Sequence, residues 1–223
     1  MKRLFEVPLK CHWSLLILLF LFVRAYGVNL GFLYCGLTII SVVIHEYAHV
    51  WMAQRYGIPV SRVVLMALGA AAMMDQRDLI GEFKKELKMS LAGPLASLAL
   101  GVVFYIPLLF LPAGVLYKGF YFISIINVAM FLLNMLPIYP MDGGRILNAL
   151  LSMGFSKKNG IEKGSVKAIN VSVIVADILA LWLIFACYFY GAYGMTVMFV
   201  LVLIFSHIQK NQALKVISEH FNG

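Results

Sequence analysis

Apolar residues in this chain come in long unbroken blocks, without the period-two alternation of a half-buried strand or the single stripe of a soluble helix. Blocks long enough to cross a bilayer as helix, which takes about 20 residues, fall at 12–28, 30–51, 91–111, 119–136, 166–188 and 193–207, the last of them short. Between the second and third, the stretch 57–88 is broken. It opens on a Gly57-Ile58-Pro59 turn signal, passes through Val60 to Val64 and reaches the small residues Ala67 to Ala72. Such a stretch reads as a membrane-associated hairpin or re-entrant loop. A short amphipathic helix over 79–89, carrying Glu82, Lys84, Lys85, Glu86 and Lys88, is expected to follow it. The pattern predicts an all-α polytopic membrane protein: six transmembrane helices with a short re-entrant or β-hairpin loop between helices 2 and 3. One transmembrane domain over 1–223 accounts for the chain, with no internal repeat, linker or soluble regulatory domain.

Composition agrees. Hydrophobic residues make up 62% of the 223 and charged residues 13%, against about a quarter charged in a soluble domain. The net charge of +8 raises nucleic acid as a partner, but the basic residues are scattered between apolar blocks instead of forming one stripe. Nucleic acid is therefore set aside and the lipid bilayer kept. The Lys and Arg residues follow the positive-inside rule: only Arg24 and Lys118 fall on one side, and the rest fall on the other. This places both termini and the loops 55–88 and 145–167 in the cytosol. No small-residue cleavage site follows the first block, so it is read as a retained helix. Cys11, Cys35 and Cys187 are too dispersed for a disulfide framework or a thiolate metal site and read as packing residues.

Within the second block stands His45-Glu46-Tyr47-Ala48-His49. On a helix, residues four apart lie one above the other, so both imidazoles can reach one metal ion while Glu46 points to its side, the H-E-x-x-H zinc pattern. Entering near Leu30 at 1.5 Å per residue, the helix carries His45 about 22 Å into a core of about 30 Å. Ionisable groups are costly at that depth, which favours a functional site. Catalytic zinc keeps three protein ligands and one open position, so a third donor is required. The fourth block runs into Asn134-Met135-Leu136-Pro137-Ile138-Tyr139-Pro140-Met141-Asp142-Gly143-Gly144. Its prolines and glycines make the backbone irregular, which is tolerated at membrane depth where it lines a polar cavity. Asp142 then falls near the depth of the two histidines and is the candidate third ligand; the competing reading is an Asp-Gly turn at a helix end.

These motifs together resemble the site-2 protease family of intramembrane zinc metalloproteases. The resemblance rests on His45 to His49, on Ala92-Gly93-Pro94-Leu95-Ala96-Ser97 opening the third block, and on N-x-x-P-x-x-x-x-D-G at Asn134 to Gly143, in the family's order. Within it, Leu133 to Gly144 is most similar to the sporulation branch, the stage IV membrane protease that processes a precursor sigma factor. The resemblance implies one zinc per chain held by His45, His49 and Asp142, with Glu46 as general base. It also implies Asn134 as a contact to the substrate or the developing oxyanion, and Gly69 and Pro137 as substrate contacts. The partners it implies are a membrane-embedded or membrane-associated protein substrate, such as a sigma-factor precursor, and membrane regulatory proteins. Two features depart from the family. The loop after the metal helix reads Ala67-Leu68-Gly69-Ala70 where members often have Pro-x-Gly-Gly, and the nucleotide-sensing domain usual in the sporulation branch does not follow the last block.

The expected chemistry is peptide-bond hydrolysis by a zinc-activated water, with Glu46 taking its proton. Asn134 either stabilises the oxyanion or makes an interhelical hydrogen bond. The 60–74 segment either pairs with an unwound substrate as an added strand or plugs the cavity. His12, His207 and His220 read as interfacial or solvated. Asp177, near mid-bilayer, either serves substrate or proton traffic or has a buried partner on another helix. The competing functional class is a divalent-cation transporter or channel using the same His/Glu/Asp cluster. Against it, only one broken segment is evident, where transporters commonly show a pair.

Overall fold

The computed structural model describes residues 7–66, 69–74, 79–139 and 141–222. Long apolar blocks can satisfy their backbone in a bilayer only as helices or closed barrels, and here they are helices. In chain order the elements are β1 (Leu9–Cys11), α1 (Leu15–Tyr26), α2 (Val28–Arg55), β2 (Val60–Met66), β3 (Gly69–Met74), α3 (Phe83–Tyr105), α4 (Val115–Asn134), α5 (Asp142–Asn159), α6 (Ile161–Phe189) and α7 (Tyr193–Asn222). Five of them, α2, α3, α4, α6 and α7, are long and apolar enough to cross a membrane, and α1 is a shorter apolar helix of 12 residues.

The differences from expectation lie where apolar and polar helix join. The amphipathic stretch over 79–89 is not a separate helix: from Phe83 its charged residues form the first turns of α3. The last block ends at His207, yet α7 continues to Asn222, because hydropathy marks only the lipid-compatible part of a helix. An additional helix, α5, follows directly on the irregular segment.

Two compact units emerge, Met1–Asp75 with Ala92–Leu133 and Gln76–Leu91 with Asn134–Gly223. In the first, Gly27 alone separates α1 from α2 with φ +77°, a left-handed conformation that glycine adopts without a Cβ penalty. The expected hairpin is present: β2 and β3 pair antiparallel, from Val60↔Met74 to Met66↔Gly69. Its tip, Ala67 and Leu68, lies outside the described residues. The third strand was not foreseen. β1 lies parallel to β2, with Leu9 opposite Val63 and Cys11, exposed rather than packed, opposite Leu65. The Tyr47 hydroxyl ties the start of this strand to α2 by donating to the Val7 carbonyl at 2.9 Å.

Helix α4 is keyed to α2 by a buried amide. Asn127 Nδ2 donates to Ser41 Oγ (2.8 Å) and to the Ile123 carbonyl (2.7 Å), and Ser41 Oγ donates to the Leu37 carbonyl (2.9 Å). Interhelical hydrogen bonds in membranes contribute about 0.6 to 2 kcal/mol each. Asn127→Ala is accordingly expected to lower the thermal unfolding midpoint in detergent by several degrees. An unchanged midpoint would mean that apolar packing alone sets this contact.

In the second unit α5, α6 and α7 pack in sequence. A Cβ at Gly164 would run into the backbone of Ser156, so α5 and α6 approach closely at that point. The buried core joins Ile138 to Ala176 and Ala180 of α6, with Leu183, Val202 and Leu203 against it. Asp177 finds the partner that its own helix lacks: Oδ1 lies 3.2 Å from Nε2 of His207 on α7. His207 is itself more than half exposed, so it faces the surroundings as well as Asp177.

Candidate metal centre

Helix α2 runs unbroken through the metal motif, and both imidazoles are buried, His45 at 4% and His49 at 6% exposure. Their Nε2 atoms face each other at 3.1 Å. Tetrahedral zinc with bonds of about 2.0–2.1 Å sets its ligand atoms about 3.3 Å apart, so the two nitrogens already stand at the spacing of ligands to one ion. Glu46, next along the helix, is half-buried.

The space in front of the two nitrogens is kept open by α3. A Cβ built on Gly93 would meet Nε2 of both His49 and His45, so the α3 backbone passes directly over the ligand atoms and only glycine leaves them room. One turn further, Ser97 is fully buried and its Oγ lies 2.9 Å from His45 Nδ1. In the sequence, Gly93 and Ser97 stand out only as members of the Ala92 to Ser97 motif, and neither is assigned a part in the metal centre. The signal available was the i, i+4 spacing of Gly93 and Ser97, the same as that of the histidines.

Asp142 opens α5 as its first residue and is 8% exposed. The chain reaches it through a tight turn in which Ile138 N–H donates to the Leu136 carbonyl (2.7 Å) and Met141 N–H to the Ile138 carbonyl (2.9 Å). The two glycines that follow let α5 pack back on that turn: a Cβ on Gly143 would meet the Leu136 and Met135 carbonyls, and one on Gly144 the backbone of Ile138 and Tyr139. The Asp-Gly-Gly sequence thus starts a helix where a bare turn was the alternative. Burial pushes the Tyr139 hydroxyl far above its ordinary range; the Glu86 carboxylate adds to this and the Arg145 guanidinium partly offsets it. Tyr139 therefore stays a neutral hydroxyl throughout the working pH range.

Among the described residues, His45, His49 and Asp142 form a buried group whose ligand atoms all lie within 4.8 Å of one another, and this group can hold one metal ion. Two imidazole nitrogens and a carboxylate oxygen are a donor set suited to catalytic zinc, with one position left open. Of the other predicted residues, Asn134 is the last residue of α4 and half-buried, and Pro137 lies in the turn before α5. Gly69 opens β3 with φ +126°.

The sequence pattern of Peptidase family M50 matches residues 34–119 and 111–181 of the chain. A zinc metalloprotease of Methanocaldococcus jannaschii is 31% identical over 222 residues, covering 96% of this chain and 61% of that protein. Stage IV sporulation protein FB of Bacillus subtilis is 26% identical over 165 residues, covering 73% of this chain and 54% of that protein. The chain thus spans about half to three-fifths of the length of the curated relatives it matches. Among solved structures, the site-2 protease from Methanocaldococcus jannaschii superposes with a TM-score of 0.66 at 28% identity, over 96% of this chain and 94% of that one.

Proposed function

Since the chain belongs to Peptidase family M50, the site-2 protease family of zinc metalloproteases, we propose that it hydrolyses a peptide bond in or near a membrane-embedded segment of a protein substrate. The single observation that carries this reading is the buried His45, His49 and Asp142 group beside Glu46. In this reading Nε2 of each histidine and the Asp142 carboxylate hold one zinc ion. Zinc so held supplies Lewis-acid polarisation of the scissile carbonyl and brings the pKa of a water near 7.

The protein's own residues do the rest. Glu46, about 100° around α2 from His45, takes the proton of the attacking water and delivers it to the leaving amine. Asn134 donates to the carbonyl oxygen as charge develops there. The turn at Pro137 and the strand opened by Gly69 contact the substrate. β3 ends the sheet order β1-β2-β3, so its outer edge is the edge to which an unwound substrate strand would add. One transmembrane domain, with its termini and active-site side in the cytosol, carries these parts.

The substrate we propose is a membrane-tethered sigma-factor precursor. Its support is the resemblance of Leu133 to Gly144 to the sporulation branch, together with the similarity to a stage IV sporulation protein. Two measurements test the reading: zinc content of the purified chain, and processing of such a precursor co-expressed with it. One zinc per chain and a shortened precursor are expected. Zinc without processing would remove the proposed substrate and keep the protease; a chain that binds no zinc would overturn the mechanism.

A further inference from the structure

The spacing of α3 against α2 carries a consequence for how the zinc ligands are held. Gly93 and Ser97 lie four residues apart on α3, as His45 and His49 do on α2, so one face of α3 is matched turn for turn to the metal face of α2. Gly93 leaves room in front of the Nε2 pair, and Ser97 Oγ meets the opposite nitrogen of the first imidazole, Nδ1 of His45, at 2.9 Å. Both partners are buried, Ser97 completely. A neutral imidazole carries one proton, and which nitrogen holds it depends on what the other nitrogen meets. With the proton on Nδ1, donated to Ser97 Oγ, Nε2 is left with its lone pair directed at His49 Nε2 3.1 Å away, where a shared ion would sit. The other tautomer would present an N–H to the metal.

We propose that Ser97 is a positioning residue whose Oγ accepts the Nδ1–H of His45 and so holds the ring with Nε2 as the metal-facing atom before any ion arrives. The inference rests on the reading of His45 as a zinc ligand. Partners that orient metal-bound histidines commonly raise metal affinity 10–100-fold, and Ser97→Ala should therefore weaken zinc binding by a factor in that range. Ser97→Thr, which keeps the hydroxyl, should restore most of it.

The test is zinc affinity by competition with a chelator, measured on the full chain in the Glu46→Gln background so that proteolysis does not consume the sample. It is paired with ¹⁵N NMR of the histidine side chains in the metal-free protein, where His45 is assigned by its absence in His45→Gln. The expected result is an Nδ1–H tautomer at His45 that shifts towards Nε2–H in Ser97→Ala, together with the affinity loss. Unchanged affinity in Ser97→Ala would overturn the proposal, as would an affinity loss with an unchanged tautomer and a lowered unfolding midpoint, the signature of a packing role alone. If the wild type binds no zinc, the ligand reading itself fails. The tautomer measurement then still decides whether Ser97 sets the ring.

Discussion

Glu46→Gln is expected to abolish processing of a co-expressed precursor while the purified protein keeps one zinc per chain. Gln has nearly the shape of Glu and lies on the same helix face, so α2 and the imidazoles at His45 and His49 should not move. What is lost is the ability to accept a proton. A positioned general base contributes about 10²–10⁴-fold to rate, so the residual activity should fall by at least that order. The paired measurements are zinc stoichiometry by elemental analysis and the fraction of precursor cleaved. Activity within tenfold of wild type would remove Glu46 as the base. Loss of zinc together with activity would make it a ligand, the behaviour expected if the cluster carried cations across the membrane.

The second large effect is at Gly93. A methyl group there would run into the imidazole ends of both His45 and His49, so the rings could make room only by turning their Nε2 atoms away from each other. Gly93→Ala should therefore leave the chain folded in the membrane, with little zinc bound and processing lost. Gly119→Ala serves as control, because a Cβ at that position meets nothing within 4 Å. It should behave as wild type in zinc content and unfolding midpoint. Full zinc occupancy in Gly93→Ala would show that the ion does not lie between the two nitrogens in front of α3.

The contrast between Glu46 and Gly93 also separates what was legible in the sequence from what was not. The metal motif declares itself because its spacing is local, with His45 and His49 one helical turn apart on one face. The apolar blocks declare the membrane helices because hydrocarbon allows little else. Ser97 meets His45 across 52 residues of chain, and nothing along α3 announces that contact. The start of α5 was hidden for a different reason. Pro137, Gly143 and Gly144 read as helix breakers, whereas here the two glycines are what let a new helix begin against the turn at Leu136 to Tyr139. β1 was invisible because three residues carry no period of their own, and they become a strand only through Val63 to Leu65.

That last pairing also constrains how the protein is made. Leu9 and Val63 lie side by side, so the chain between them, α1 and α2 joined at Gly27, leaves the sheet and returns to it. During synthesis β1 has no partner until β2 has been made, and closing so long a loop carries an entropy cost that local helix contacts do not. The Tyr47 hydroxyl, donating to the Val7 carbonyl, ties that non-local pairing to the helix that carries the metal motif.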